Sequence, residues 1–309
     1  MKFLLTGDLH LTDKSPKKRI DDFVKAQNSK MMQIIDIYKG QKCECILQPG
    51  DLFDSHKASD YIKQFWMNIF KTNKVDLFCV FGQHDLRYHT SNIDNTPIRV
   101  LNRAGNVHIL NQKPEANDWG LDIGFAIYGQ SWFEKTPKIK EEGPFNILVV
   151  HKQFYTSKKD WPTQDQEGTN ATSFLKKHPF DLVVAGDNHR FFKVTYKNQT
   201  LLNLGSLMRT KIDQANHKPR VAIFDTETRE IKIIKLDVKP FEKVFDMAKE
   251  KEEEERSESL QTFIKELKTS TKSKKLDFIS KLKDARDTTD EGVAQVLDQV
   301  MQKAELKWK

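Results

Sequence analysis

The chain is poor in cysteine and lacks any long apolar run. Its 309 residues include three cysteines, too few for a disulfide framework. Cys43 and Cys45 have no second cysteine pair with which to build a zinc site, so we expect reduced core thiols. No stretch approaches the ~20 apolar residues that span a bilayer, and the first apolar run is broken at Asp8, too early for the core of a signal peptide. We therefore expect a cytoplasmic protein without a membrane span.

Charge is unevenly distributed along the chain. With 38% hydrophobic and 31% charged residues, the sequence is long enough for one large globular domain and an accessory segment. Residues 1–240 hold 36 Lys and Arg against 28 Asp and Glu, whereas residues 241–309 hold 15 against 16. A basic excess of this kind is typical of a domain that holds a polyanion. Surface lysines kept for solubility would produce the same excess.

Five short polar motifs each follow an apolar run that predicts a strand. They lie at residues 7–10 (GDLH), 50–54 (GDLFD), 82–85 (GQHD), 151 (H) and 186–189 (GDNH). Side chains two positions apart on an extended chain share a face, so Asp8 and His10 can reach the same ion. A lone histidine such as His151 is usually structural. Five strand ends that carry carboxylate, imidazole and amide groups nevertheless predict a site for two metal ions.

The third motif places three different polar groups in consecutive positions. Neighbouring side chains in an extended loop point apart, so Gln83, His84 and Asp85 cannot all bind one ion. We predict that the Gln83 carbonyl oxygen faces a metal and that His84 faces the substrate. Asp85 is predicted to lie behind His84, where it would fix the tautomer and raise the basicity of the ring. Asp54 is predicted to stabilise a turn or to contact a metal-binding side chain, rather than to bind metal itself.

The order and spacing of these motifs resemble those of the calcineurin-like metallophosphoesterases. The pattern of that family is Asp-x-His, Gly-Asp-x-x-Asp, Gly-Asn-His-Asp or Glu, a solitary His, and Gly-His-x-His. The resemblance implies an α/β fold, a four-layer αββα sandwich, in which two metal ions activate water to attack phosphorus. One metal would be held by Asp8, His10, Asp51 and His189. The other would be held by Asp51, Gln83, His151 and Asp187, with Asp51 as the bridge.

Two positions depart from the family pattern. Gln83 stands where the family has asparagine, and the loop must absorb the extra methylene. Asp187 stands where the family has the first histidine of Gly-His-x-His, and a carboxylate there shifts the preference from zinc toward Mn²⁺ or Mg²⁺. Because both side chains can still ligate, we expect two divalent ions, with Mn²⁺ ahead of Mg²⁺. An impaired site would instead leave an inactive DNA-binding scaffold subunit.

Three segments resemble the SbcD-type double-strand-break nucleases and their phage relatives, the recombination endonucleases. They are residues 50–59, residues 82–88, and residues 203–210 with 218–221 and 224–228. The resemblance implies a phage-like, Mn²⁺-dependent DNA exonuclease or endonuclease of recombination or repair. The alternative is a phosphodiesterase or phosphatase that acts on small molecules or phosphoproteins, since the fold alone does not name the substrate.

Five basic side chains lie just beyond motif residues, where they would meet DNA phosphates that flank the scissile one. They are Arg87, His89, Arg190, Arg209 and Lys211. Taken singly, each is explained at least as well as an ordinary solvated charge.

Apolar spacing predicts helices over residues 20–38 and 59–70, the second capped by Ser59. Strand patterns follow at residues 121–128, 145–150, 182–185, 192–196, 200–204, 221–224 and 231–236. Residues 1–240 are therefore predicted to form the metallophosphoesterase domain.

Residues 241–309 are charged and sparsely apolar, with helical spacing over residues 260–267, 276–282 and 293–306. In SbcD-type nucleases the equivalent region includes a capping element and helices that bind a partner ATPase. We expect an abbreviated capping element or a helical segment that binds an SbcC-type ATPase, with packing on the catalytic domain as the alternative. Such relatives form dimers, so a homodimer is also among the expected assemblies. A phage-encoded chain would act in the host cytoplasm.

Overall fold

The computed structural model describes residues 1–16, 18–87, 90, 92–110, 125–139, 145–157, 168–211, 214–246, 282, 283, 286, 287 and 298. The chain divides into two compact units, Met1–Phe245 and Asp246–Lys309. A 3-10 helix at Phe241–Lys243 precedes Val244 and Phe245, which are both buried. The first unit therefore extends past position 240, where the sequence predicts the domain to end.

Most of the second unit lies outside the described residues. The positions described there, 282, 283, 286, 287 and 298, are all helical. The predicted helix over residues 260–267 is not among them, and the predicted helices over residues 276–282 and 293–306 are described at one position each.

The described part of the first unit contains thirteen strands and four α-helices. The strands are β1 (Lys2–Leu5), β2 (Cys45–Gln48), β3 (Leu77–Cys79), β4 (Val107–Ile109), β5 (Phe125–Gln130), β6 (Phe145–His151), β7 (Phe154–Tyr155), β8 (Thr169–Asn170), β9 (Leu182–Gly186), β10 (Phe192–Tyr196), β11 (Gln199–Asn203), β12 (Arg220–Asp225) and β13 (Ile231–Lys235). The helices are α1 (Phe23–Gly40), α2 (Asp60–Asn73), α3 (Pro97–Arg103) and α4 (Ala171–Lys177).

The strands form two large sheets and one small pair. The first sheet has the order β13-β12-β1-β2-β3-β4, in which β1 to β4 are parallel. The second has the order β10-β11-β9-β6-β5, in which β11, β9, β6 and β5 are parallel. Strands β7 and β8 pair with each other. Parallel neighbours bring their carboxyl ends to one edge of each sheet, where ligands commonly bind.

Three clusters of buried side chains define four layers. One cluster lies between the sheets and joins residues such as Leu47 of β2 and Val184 of β9. Helices α1 to α3 cover the outer face of the first sheet with side chains that include Phe23 and Trp66. Helix α4 covers the outer face of the second sheet through Phe174. The predicted αββα sandwich is confirmed.

Side-chain caps set the starts of the two long helices. The Ser59 hydroxyl accepts a backbone N–H of α2 at 3.2 Å, so the predicted cap is correct. The prediction that α1 begins at residue 20 is wrong. The Asp22 carboxylate accepts the Lys25 N–H at 2.9 Å and caps the helix there, which leaves Ile20 outside the helix and 57% exposed.

Most strands match their predictions closely. The six predicted between residues 145 and 236 differ from the observed ones by one residue at most at either end. The strand predicted over residues 121–128 corresponds to β5, and residues 121–124 lie outside the described residues. Helices α3 and α4 were not predicted, because each has only seven residues.

Cys43, Cys45 and Cys79 are buried free thiols, in agreement with the sequence analysis. Burial raises the pKa of Cys43 to about 11, so its reactive thiolate form is disfavoured. Within the described ranges, no helix is both long enough and apolar enough to cross a bilayer.

Candidate metal centre

All seven predicted metal ligands follow or end parallel strands of the two sheets. They are Asp8 and His10 after β1, Asp51 after β2, Gln83 after β3, His151 at the end of β6, and Asp187 and His189 after β9. The register of β6 with β9 pairs His151 with Gly186. The Asp187 N–H donates to Asp8 Oδ2 at 3.0 Å, which joins the edges of the two sheets. The ligands therefore converge on one place from both sheets.

Three of the ligands adopt the left-handed backbone conformation, which residues other than glycine rarely adopt. The φ angles are 46° at His10, 51° at Asp51 and 81° at Asp187. Gly50 precedes Asp51 with a φ of 97°. Such conformations cost about 1–3 kcal/mol each and cluster at functional sites. Their occurrence at three converging polar side chains indicates that the strand exits are shaped to aim these groups.

The first cluster consists of Asp8, His10 and His189. One donor atom from each lies within 4.8 Å of the others. His10 Nε2 and His189 Nε2 are 3.1 Å apart, and His189 Nε2 is 3.7 Å from Asp8 Oδ2. Two imidazole nitrogens and a carboxylate that converge in this way form a suitable cation site.

Asp51 lies between this cluster and a second one. Its Oδ1 accepts the His84 backbone N–H at 2.9 Å, which fixes the orientation of the carboxylate. Its Oδ2 is 3.8 Å from His10 Nε2 and 3.5 Å from His151 Nε2. One oxygen thus faces an imidazole from each cluster, as a bridging ligand requires.

The second cluster consists of His151, Gln83 and Asp187. Gln83 Oε1 lies 2.7 Å from His151 Nε2, and the Gln83 amide donates to Asp187 Oδ1 at 3.0 Å. The His151 Nδ1–H donates to the Pro49 carbonyl oxygen at 2.7 Å, so Nε2 is the nitrogen that faces the cluster. The longer Gln83 side chain therefore still brings its amide oxygen into the centre.

Burial and neighbouring charges shift the pKa values of these groups. It raises the pKa of Asp8 well above its usual value and lowers the pKa of both His10 and His189, the latter to about 4. Burial alone would also lower the pKa of His151, but the neighbouring carboxylates, Asp51 first, raise it to about 9. A cation favours ionised carboxylates and neutral imidazoles, so binding at this centre must release protons.

The donor set fits divalent cations. It contains carboxylate and amide oxygens, which suit Mg²⁺, Ca²⁺ and Mn²⁺, together with imidazole nitrogens, which suit zinc, iron, copper and nickel. Within the part of the chain that the structure describes, Asp8 Oδ1 and Asp51 Oδ2 are buried and accept no hydrogen bond. A buried carboxylate oxygen without a donor is costly, and a cation would satisfy both atoms.

The predicted contact between His84 and Asp85 is wrong. The His84 Nδ1–H donates to the backbone carbonyl oxygen of Asp54 at 2.9 Å. Asp85 is fully buried and accepts the N–H groups of Phe53 and Gly82, both at 3.0 Å. The tautomer of His84 is therefore fixed by a carbonyl group, and Asp85 instead ties the loop after β3 to the loop after β2.

Asp54 supports two imidazole rings at once. Its Oδ1 is 3.6 Å from His10 Nδ1, and its backbone oxygen holds His84. Donor atoms of the three residues lie within 4.8 Å of one another. The proximity to His10 is the one predicted for Asp54, but the same three groups could also hold a cation, so the prediction that Asp54 does not bind metal stays a prediction.

Replacing Asp85 with alanine is expected to lower the free energy of unfolding by about 2 to 6 kcal/mol, because two buried N–H groups lose their acceptor. Urea denaturation followed by circular dichroism measures the change. Asp76→Ala, at an exposed carboxylate, is the matched control and should shift stability by about 0.5 kcal/mol or less. Unchanged stability combined with lost turnover would restore a role for Asp85 beside His84.

A cavity of about 380 Å³ lies beside His84. His10 and His189 line it from the metal centre, and Lys14 and Lys211 also line it. Asp54 supplies the one carboxylate among the lining residues that the structure describes. Lys14 was not among the predicted DNA contacts, although it lies only four residues after His10 of the first motif.

The remaining DNA-contact candidates differ in their surroundings. Lys211 lines the cavity, whereas Arg87 and Arg190 are exposed close to the third and last motifs. His89 lies outside the described residues. Of the three that the structure describes, only Lys211 lines the cavity.

The structure does not support the predicted contact of Arg209 with DNA. Its side chain is buried, and its guanidinium donates to the carbonyl oxygens of Ala215 and Lys239 and lies over the Phe241 ring. The Arg209 carbonyl oxygen in turn accepts a hydrogen bond from Arg19 at 2.8 Å. These contacts engage Arg209 inside the fold, so we remove it from the groups that could meet a phosphate.

Comparisons with known proteins identify one family whose sequence model matches most of the first unit. A sequence model of the family described as calcineurin-like phosphoesterase matches residues 1–191. A search of curated protein sequences returned no match. Among solved structures, a novel archaeal phosphodiesterase is similar at 16% identity and a TM-score of 0.43, with 76% of this chain and 100% of that chain covered.

Proposed function

The chain belongs to the calcineurin-like phosphoesterases, and from this premise we propose that it is a Mn²⁺-dependent DNA nuclease of the SbcD type. The family and the donor set support a metal-dependent phosphoesterase. Beyond this, we propose that the metal is Mn²⁺, that the substrate is the phosphodiester bonds of DNA, and that the reaction takes place in recombination or repair. One observation carries the choice of DNA, namely the two lysines in the cavity beside His84.

Lys14 and Lys211 line the same cavity as three imidazoles of the site. A single phosphate at the metal ions would not need further cations, whereas a polynucleotide brings phosphates on either side of the scissile one. The basic excess of residues 1–240 would attract such a polyanion to this unit.

The side chains of the site have distinct tasks in the proposed reaction. Two divalent cations, when bound, would lower the pKa of a water molecule and stabilise negative charge on the phosphoryl oxygens. Asp51 joins the two clusters through a carboxylate held by the His84 N–H. The His84 ring borders the cavity, and its Nδ1–H is held by the Asp54 carbonyl. In its doubly protonated, imidazolium form the ring would give its Nε2 proton to the departing oxygen and be left as the neutral Nδ1–H tautomer.

The biological setting extends the same proposal. We assign the C-terminal unit a role in binding an SbcC-type ATPase, and we include a homodimer among the assemblies to be tested. The proposed compartment is the cytoplasm, or the host cytoplasm for a phage-encoded chain, where buried thiols stay reduced.

A phosphodiesterase that acts on small molecules is the second candidate. Its support is the size of the cavity, which falls in the range of about 300–1,000 Å³ that small-molecule sites occupy. An inactive DNA-binding scaffold is the third, and it draws on Gln83 and Asp187, the two departures from the family pattern. Turnover of DNA separates the nuclease from the other two candidates, and hydrolysis of bis(p-nitrophenyl) phosphate separates those two from each other.

The two cavity lysines give a direct test of the substrate. Lys14→Ala and Lys211→Ala should each weaken DNA binding and reduce the slope of log K against log salt by about 1, because each would neutralise one phosphate. Fluorescence anisotropy of a labelled oligonucleotide across a salt series measures this slope.

Lys232→Ala is the matched control, since Lys232 is an exposed lysine on the edge strand β13. It should leave affinity and salt slope near the parent values. Parental binding by both cavity variants, with normal hydrolysis of bis(p-nitrophenyl) phosphate, would favour the small-molecule candidate.

A further inference from the structure

Two adjacent aromatic side chains lie at the tip of a tight turn after β5. Trp132 is 41% exposed and Phe133 is 37% exposed. They are the central residues of a turn closed by the Glu134 N–H, which donates to the Ser131 carbonyl oxygen at 2.9 Å. Turn tips usually carry Gly, Asn, Asp, Ser or Pro. Two neighbouring aromatics at such a position expose apolar surface that packing in the core does not require.

Several hydrogen bonds hold this turn in one conformation. The Glu134 carboxylate accepts the Ser131 N–H at 2.8 Å, and the Gln130 amide donates to the Glu134 carbonyl oxygen at 3.1 Å. Trp132 N–H donates to the Phe81 carbonyl oxygen at 2.8 Å, and Phe81 N–H donates to Ser131 Oγ at 3.2 Å. A turn fixed in this way presents its aromatic rings with little loss of conformational entropy on binding.

The turn lies at the same sheet edge as the metal centre. Strands β5 and β6 are parallel with Gln130 opposite Val150, so the turn begins beside His151, about 4.8 Å away across neighbouring strands. The hydrogen bonds to Phe81 also attach the turn to the loop that carries Gln83. The turn that carries the aromatic pair therefore adjoins the strand end and the loop that supply His151 and Gln83.

The lysine-lined cavity borders the other cluster. His10 and His189 line that cavity, whereas the turn adjoins the strand that ends at His151. A polynucleotide bound across both clusters would thus meet cations beside the first and aromatic rings beside the second. The lysines would pair with phosphates, and the aromatic rings would stack on bases.

We propose that Trp132 and Phe133 form a stacking subsite for an unpaired nucleobase next to the scissile phosphate. The inference rests on the proposed nuclease function and specifies the state of its substrate, with at least one base unstacked from its neighbours at the site of cleavage. Aromatic side chains that stack on bases accept any base, because each base has a π face. The subsite therefore contributes to affinity without sequence preference.

The test compares oligonucleotides with and without the base. Steady-state cleavage is measured on a single-stranded oligonucleotide and on the same strand with abasic sites, for the parent and for Trp132→Ala, Phe133→Ala and Trp132→Phe. Tyr61→Ala is the matched control, because Tyr61 is an exposed aromatic residue on α2. Loss of one stacked base is expected to raise KM about tenfold.

The expected result is a parent enzyme that prefers the intact strand about tenfold in KM over the abasic one, a preference of the size that base stacking gives. Trp132→Ala should remove most of this preference by weakening only the intact strand, Trp132→Phe should retain it, and Tyr61→Ala should match the parent. DNA cleavage with the same preference in Trp132→Ala and Phe133→Ala would overturn the subsite and leave the nuclease function standing. A parent that cleaves end-labelled duplex DNA but neither single strand would overturn the subsite, and a parent that cleaves no DNA would overturn the nuclease function as well.

Discussion

An Asp51→Asn variant is expected to lose about a thousandfold or more in kcat/KM, since charge stabilisation by bound metal contributes several kcal/mol to the transition state. The asparagine oxygen can keep the 2.9 Å bond to the His84 N–H. The amide nitrogen then replaces Oδ2, the atom that lies 3.8 Å from His10 Nε2 and 3.5 Å from His151 Nε2. An N–H donor at this position cannot bind a cation, so the variant is expected to lose metal from the position between His10 and His151.

Two measurements check this prediction together. Hydrolysis of bis(p-nitrophenyl) phosphate in Mn²⁺ gives kcat/KM, and mass spectrometry of the dialysed protein gives its metal content. Asp76→Asn, at an exposed carboxylate beside His108, is the matched control and should keep parental values for both. Parental activity and full metal content in Asp51→Asn would show that Asp51 does not bridge the two clusters.

A His84→Ala variant is expected to lose about 100-fold to 10,000-fold in kcat, the range that a positioned proton donor contributes. Its metal content and its KM should stay close to those of the parent. The reason is geometric, because His84 reaches the centre through its backbone N–H, which alanine retains, whereas its ring is exposed and held by the Asp54 carbonyl.

The same kinetic and metal measurements apply to this variant. His108→Ala removes another partly exposed imidazole, one that lies 3.4 Å from Asp76, and should leave kcat unchanged. Loss of metal in His84→Ala would instead assign the ring to a metal, in the group that it forms with His10 and Asp54.

The convergence of the ligands could be predicted from the sequence because it depends on strand ends. Asp8, Asp51 and His151 each follow or end an apolar run, and parallel strands bring such ends to one edge. The cap at Ser59 could also be predicted, because a helix start depends on residues that are close in sequence. Structural features that depend on strand direction and on local hydrogen bonds can therefore be predicted from the sequence alone.

The orientation of individual side chains could not be predicted in the same way. The partner of His84 is a backbone carbonyl at Asp54, 30 residues away, and no residue type signals a carbonyl direction. Arg209 has the sequence context expected of a DNA contact, yet its guanidinium meets the carbonyl oxygens of Ala215 and Lys239. The turn at Trp132 lies outside every motif in sequence and meets the site through the pairing of β5 with β6 and through the hydrogen bonds to Phe81.

The most direct test of the account is cleavage of DNA itself. The purified chain is incubated with end-labelled linear duplex DNA and Mn²⁺, beside a chelated sample and the Asp51→Asn variant, and the release of labelled nucleotides is followed. We expect metal-dependent release by the parent chain and none in either control. Hydrolysis of bis(p-nitrophenyl) phosphate without any cleavage of DNA would contradict the proposed substrate, and hydrolysis of neither would contradict the proposed enzyme.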